Sequence, residues 1–329
     1  MLLASVALGG GCSGDTISSG TPDPDASPVA PPSELARERC AVRVGIALTG
    51  TAPDAELRAA EQPSDLAQLA RLMQTDAFRD RFAGFVAAEL NDGVSDASDV
   101  TYAIVRHVVA SGLPWTEVFR GPFLVDEELA VHEDAQGLGY FREPLWLTHY
   151  AGSEPEGYML RMAYRMLNNV LGVTRSIQVA DAGAGMAGAN VRESDPACRG
   201  CHFDEQYGLD RVANLLPQRT SAPAVAPATF SVEVPSAEGE VLFKSATADG
   251  LYPDGVLLRG DADLLDTMVE SPQFTFHACR VVTTFLYGRA ESTAEAAPFD
   301  ACLDALTASG LITDAVAAIA SHPTFCEQD

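Results

Sequence analysis

Apolar residues in the first hundred positions recur every three or four places. Leu66, Leu69 and Met73, then Phe78, Phe82 and Phe85, keep that spacing, which gathers each set on one side of a helix. The segment from Glu34 to about Asp134 therefore reads as helical. Inside it, a helix from about Asp99 to Ser111 carries Ile104, Val105, Val108 and Val109 on its apolar side, and Gly112 and Pro114 stop it. Gly157–Gly172 repeats the pattern, with Met159, Met162 and Met166 on one face. After Tyr207-Gly208-Leu209 breaks the periodicity, it resumes weakly over Asp210–Leu216. A further helix starts at Ser271-Pro272, presents Phe274, Ala278, Val281 and Phe285, and ends at Gly288. Two more follow near Pro298–Ser309 and Thr313–Ser321. The period changes to alternation at Phe230-Ser231-Val232-Glu233-Val234, which predicts a short strand or hairpin and then loop to about Gly260. The fold class expected is mainly α with a short β/loop linker.

Both ends of this pattern differ from the middle. Residues 13–35 are rich in Gly, Ser, Thr, Pro and Asp, cannot bury a core, and read as a flexible tether. Ahead of them, residues 1–12 form a short apolar run that closes on small residues and Cys12. This run resembles a bacterial lipoprotein signal, which implies cleavage and acylation at Cys12 and a lipid anchor as the chain's contact with a membrane. No other stretch approaches the roughly 18 apolar residues of a membrane span. The remainder divides into a helical N-terminal module (36–137), a central module (138–225), a linker with short strands (226–260) and a C-terminal helical module (261–329).

The formal net charge of −25 argues against nucleic acid as a partner, because phosphates repel such a surface. It suits solubility, or docking to a basic redox protein. Lys244 is the single lysine among 21 basic residues, which reflects composition more than function.

The central module holds the most specific chemistry, Cys198-Arg199-Gly200-Cys201-His202. Two thiols three positions apart can add across the two vinyl groups of one haem, and the following histidine can then bind the iron as proximal ligand. A structural zinc site would need four ligands, and the chain has neither a second Cys-x-x-Cys nor a His-x-x-x-His. A thioredoxin-type pair would open a helix within a βαβ unit, which these flanks do not show. A structural disulfide or a pair of buried thiols remains the plain alternative. The expected cofactor is one covalent haem c, with helical modules arranged around a cytochrome c-like haem-binding segment. Attachment of such a haem occurs outside the bacterial cytoplasm, so the chain is expected to be exported, to the periplasm or the outer-membrane surface.

With Cys12 assigned to lipid and Cys198 and Cys201 to haem, Cys40, Cys279, Cys302 and Cys326 remain. An even remainder in an exported chain suggests two disulfides. Four cysteines allow three pairings. The preferred one joins Cys279 to Cys302 across a helical hairpin and Cys40 to Cys326 across the chain ends.

Three stretches resemble the exported cytochrome c-like multi-module proteins of planctomycetes and myxobacteria, most of whose modules have no assigned function. They are Leu48–Pro53 with the helices after it, Asp195–Leu209 around the haem motif, and Ser271–Arg289 with Ser321–Phe325. The resemblance implies a haem on Cys198 and Cys201 with His202 as axial ligand.

The sixth ligand would separate an electron carrier from a haem that binds O₂ or peroxide. Candidates are Met268, favoured by its distance from His202, Met186, the Met159/Met162/Met166 stripe and His277. Core packing is the commoner role of each. His107 reads as a surface or satisfied core histidine. The leading expectation is an exported monohaem cytochrome that transfers electrons in the cell envelope. Alternatives are a haem-dependent oxidoreductase with an exchangeable sixth position and a non-haem, disulfide-stapled scaffold or binding module. No spacing suggests a Ser/His/Asp triad, a carboxylate pair or a phosphate-binding glycine loop.

Overall fold

The computed structural model describes residues 33–91, 95–150, 160–174, 189–204, 207–219, 243–244, 250–251 and 257–327. The chain is mainly helical. Six helices occupy its first part: α1 (Glu34–Thr49), α2 (Ala55–Ala59), α3 (Leu66–Met73), α4 (Asp76–Asn91), α5 (Ser95–Ser111) and α6 (Glu117–Arg120). An antiparallel hairpin, β1 (Phe123–Val125) and β2 (Val131–Glu133), leads into α7 (Pro144–His149) and α8 (Leu160–Leu171). Next come α9 (Ala189–Ser194), α10 (Pro196–Arg199), a π-helical turn (Gly200–Asp204) and α11 (Leu209–Asn214). Two short antiparallel pairs follow, β3 (Gln218–Arg219) with β4 (Phe243–Lys244) and β5 (Gly250–Leu251) with β6 (Leu257–Leu258). The chain closes with α12 (Asp261–Val269), α13 (Pro272–Tyr287), α14 (Ala296–Ser309), α15 (Ile312–Ser321) and α16 (Pro323–Glu327).

Several of these boundaries are set by side chains at the helix ends. Ser271 caps α13 by accepting the Phe274 N–H at 3.4 Å, and Pro272 occupies the first turn, where its missing N–H costs nothing. Gly288 ends the same helix at φ 68°, a left-handed conformation in which a side chain would be strained. Asp54 and Asp65 cap α2 and α3 in the same way as Ser271, through Leu57 N and Gln68 N.

One hydrophobic core takes buried side chains from every helix except α9, α10 and the π-helical turn. Phe78 and Phe82 of α4 meet Phe285 of α13 at ring separations of 6.2 and 5.0 Å. From Phe82 the rings continue through Trp115, Phe119, Tyr140 and Trp146 to Tyr150. Pairs of this kind contribute roughly 0.5–1.5 kcal/mol each beyond the burial of their surface. α1 packs on α13 and α16, and α3 packs on α15. The apolar face of α4 is covered by α13, so helices before residue 137 and after residue 260 share this core. Of the three possible disulfide pairings, the structure contains Cys279–Cys302, joining α13 to α14, and Cys40–Cys326, joining α1 to α16.

The hairpin departs from the helical reading of residues 34–134. Gly121-Pro122 interrupts the helical backbone, and the Asp126 carboxylate then accepts the N–H groups of Glu128 and Ala130 at 3.0 and 2.8 Å. This turn holds Leu129 at φ 63° and folds β2 back on β1. The strand expected at Phe230–Val234 lies outside the described residues.

Two buried polar contacts tie distant segments together. Arg142 grips Asp261 at the start of α12 with two hydrogen bonds of 3.0 and 2.8 Å. The Asn169 amide of α8 donates to the Leu90 carbonyl and to the Tyr140 hydroxyl, both at 2.9 Å.

Candidate functional site

The Cys198–His202 motif begins at a capped turn. Asp195 accepts the Ala197 N–H at 2.9 Å, and Pro196 opens α10. The helix runs directly into the π-helical turn, so Cys198, Cys201 and His202 stand on consecutive turns of one short helical stretch. At offsets of three and four residues the second thiol and the imidazole fall on the same side as Cys198. Cys198 is half-exposed and Cys201 exposed, and neither takes part in the two disulfides. Phe203 is partly exposed beside them, and Val191 of α9, which packs on this turn, is exposed as well.

His202 is fixed from behind. Its Nδ1 lies 2.6 Å from Oδ2 of Asp210, a carboxylate buried in α11. Arg192 of α9 holds the same carboxylate in a two-pronged contact, Nε to Oδ2 at 3.0 Å and Nη2 to Oδ1 at 2.5 Å. Burial alone would raise the Asp210 pKa. Hydrogen bonds from His202 and Arg192, together with the Arg192 charge, outweigh it and hold the group below the ordinary carboxylate range. An ionised carboxylate only accepts, so Nδ1 carries the proton of this bond and Nε2 is the ring nitrogen available to a metal. Gly208 makes the arrangement possible: a Cβ there would stand 2.5 Å from the His202 carbonyl oxygen. The chain can therefore turn tightly enough to begin α11 at Leu209 and bring Asp210 under the imidazole. By contrast, Arg199 and Asp204 form an exposed ion pair at 3.0 Å, of a kind that contributes little.

These residues fit a covalent haem. The donor set is two thiols at vinyl spacing and one imidazole, with an ordered partner on the far ring nitrogen. Among the described residues, no group of three or more His, Cys, Asp or Glu side chains is placed to hold a bare metal ion.

The candidates for a sixth ligand are distributed elsewhere. Met268 is fully buried in α12, which packs on α6, α8 and α13, whereas the motif's turn packs on α9, α10 and α11. There it packs in the core. Met162 and Met166 are likewise buried in α8. Met159 and Met186 lie outside the described residues, as does Cys12. His277 donates to the Asn169 carbonyl and lies against Gly172, where a Cβ would stand 2.5 Å from its Nδ1. Burial first, and the nearby Arg280 charge second, push its pKa down to about 4 despite that hydrogen bond. It is a satisfied, neutral histidine, partly buried at the edge of the core. His107 packs edge-on against Phe123 at 5.1 Å, and burial lowers its pKa.

Asp210 and Arg192 are the site residues that periodicity and motif reading do not reveal. Only the general need of a ligating histidine for a partner on its second nitrogen points toward such a group. No family model matches the chain, and no curated protein or solved structure matches it. No helix among the described residues is long and apolar enough to cross a membrane.

Proposed function

We propose that the chain is an exported monohaem c-type cytochrome that passes electrons in the bacterial cell envelope. Cys198 and Cys201 would hold the haem through thioether bonds, and His202 would be its axial ligand. The observation that carries this reading is the placement of His202 on the helical stretch of both cysteines, with Nδ1 held on buried Asp210 at 2.6 Å. That geometry leaves Nε2 for iron and restricts rotation of the ring. When bound, the haem supplies a one-electron Fe(III)/Fe(II) couple. The protein's own part is to fix the macrocycle by two covalent links, orient the imidazole and present an acidic surface to a basic partner.

Export is supported by the two disulfides, which persist in oxidising compartments, and by the lipoprotein-like run ending at Cys12. A lipid on Cys12 and the Gly/Ser/Pro-rich segment ahead of α1 would hold the helical body off the membrane. Likeness to exported cytochrome c-like multi-module proteins at the three stretches named above points the same way.

Redox titration of the purified holoprotein is expected to show one reversible one-electron haem couple. Absence of a reversible couple in haem-loaded protein would remove the carrier reading. A second reading is a haem oxidoreductase whose sixth position is exchangeable. Carbon monoxide or cyanide binding at neutral pH, with turnover, selects that reading; a haem that takes up neither is a carrier.

A further inference from the structure

We propose that Asp210 is a positioning residue that sets the potential of the haem through His202, an inference that rests on the haem reading above. The carboxylate does more than occupy space. It meets Nδ1 of His202 at 2.6 Å, and both of its oxygens are engaged by the Arg192 guanidinium. Asp210 is 1% exposed and sits in α11, which packs on α8, so the acceptor is anchored to the core and not to a surface loop. The Arg192 side chain is itself only 11% exposed. Two charges and one imidazole N–H thus share a site largely shielded from water, where charge-assisted hydrogen bonds are strongest.

The consequence follows from the donor chemistry of imidazole. A carboxylate hydrogen-bonded to Nδ1–H draws that proton toward itself and raises the electron density on Nε2. A more basic Nε2, with a negative charge behind it, stabilises ferric iron relative to ferrous and lowers the midpoint potential. Arg192 works against this by sharing the carboxylate and adding a positive charge. In the redox step one electron arrives from the partner protein, the Nδ1 proton stays on the imidazole, and no bond is made or broken. Asp210 and Arg192 therefore act as opposed controls on one ligand.

The test is spectroelectrochemical titration of holoprotein, comparing wild type with Asp210→Asn and Arg192→Gln. The amide of D210N can still accept from Nδ1–H but without the charge. Its midpoint is expected to rise, by about tenfold in the ferric/ferrous equilibrium constant, which is about 59 mV for one electron. Arg192→Gln is expected to shift the midpoint in the opposite direction. A residue that only braced the fold would lower haem yield or stability without moving the potential in opposite senses. If D210N does not fold, Arg192→Gln and the charge-conserving Asp210→Glu carry the test, the latter staying within half the R192Q shift of wild type. Haem-loaded variants that share the wild-type midpoint overturn the inference and leave the haem reading standing. A wild-type protein without haem overturns both.

Discussion

Removing the Cys40–Cys326 bond is expected to destabilise the protein more than removing Cys279–Cys302. The two bonds close very different lengths of chain, with sequence separations of 286 and 23 residues. In the chain-entropy account, the longer closure contributes about 6 kcal/mol and the shorter about 3 kcal/mol. The long closure also ties together helices from the two ends of the described chain. It holds α1 against α16, where Arg43 lies over the rings of Tyr287 and Phe325 at 5.5 and 4.9 Å. Urea denaturation of Cys40→Ala/Cys326→Ala and Cys279→Ala/Cys302→Ala measures the difference. The first variant should lose more stability, and its slope against urea should steepen because its unfolded chain expands further. Equal losses in the two variants would contradict this account.

Stability should also decline between about pH 6.5 and pH 8, and Glu143 is the cause. Its side chain is buried, and burial pushes its pKa up to about 8, although its Oε1 accepts the Val125 N–H at 2.8 Å. The folded protein keeps this proton where the unfolded chain has already lost it. The stabilisation is complete below the unfolded value of 4.5 and is lost as pH rises to about 8. At about 1.36 kcal/mol per unit, the full loss is about 5 kcal/mol.

His277 works in the opposite direction. Its pKa of about 4 against 6.5 means that stability is lost as pH falls through that window, by about 3 kcal/mol in all. The Glu143 and His277 slopes oppose each other between about pH 4.5 and 6.5, where the lowered pKa of His107 adds to the His277 side, and above pH 6.5 stability falls by about 2 kcal/mol to pH 8. Carboxylates held low by their partners, such as Asp80 beside Arg106 and Tyr102, titrate below this range. Glu143→Gln keeps an acceptor for the Val125 N–H and removes the ionisation. Chemical denaturation across pH should show the variant level above pH 6.5, with its advantage over wild type growing by about 5 kcal/mol between pH 4.5 and pH 9. A wild-type curve that stays level from pH 6.5 to 9 would contradict the assignment.

How far the sequence reveals this molecule depends on the range of the interaction concerned. Helices such as α13 are legible because their determinants are local: Ser271 and Pro272 at one end, Gly288 at the other, and an apolar residue every third or fourth place between. Helix α5 starts one turn before the expected Asp99, at Ser95, since no strong breaker lies between them. The β1–β2 hairpin is not legible, because its strands have three residues each and its turn depends on Asp126 side-chain bonds and on a leucine in a left-handed conformation. The shared core is hidden for a different reason: periodicity shows that α4 has an apolar face but not that α13 covers it. The cysteines of the motif can be read directly, while Asp210 cannot. Its partnership with His202 exists only after the chain turns at Gly208 and α11 docks on α8.

The central claim is a covalent haem on Cys198 and Cys201. The most direct test is a reduced pyridine haemochrome spectrum of protein co-expressed with a c-type maturation system, beside a Cys198→Ala/Cys201→Ala control. The account predicts a c-type spectrum in the wild type and none in the control. No haem in either sample, with the maturation system shown to load a known cytochrome, would contradict it and leave a disulfide-stapled helical scaffold.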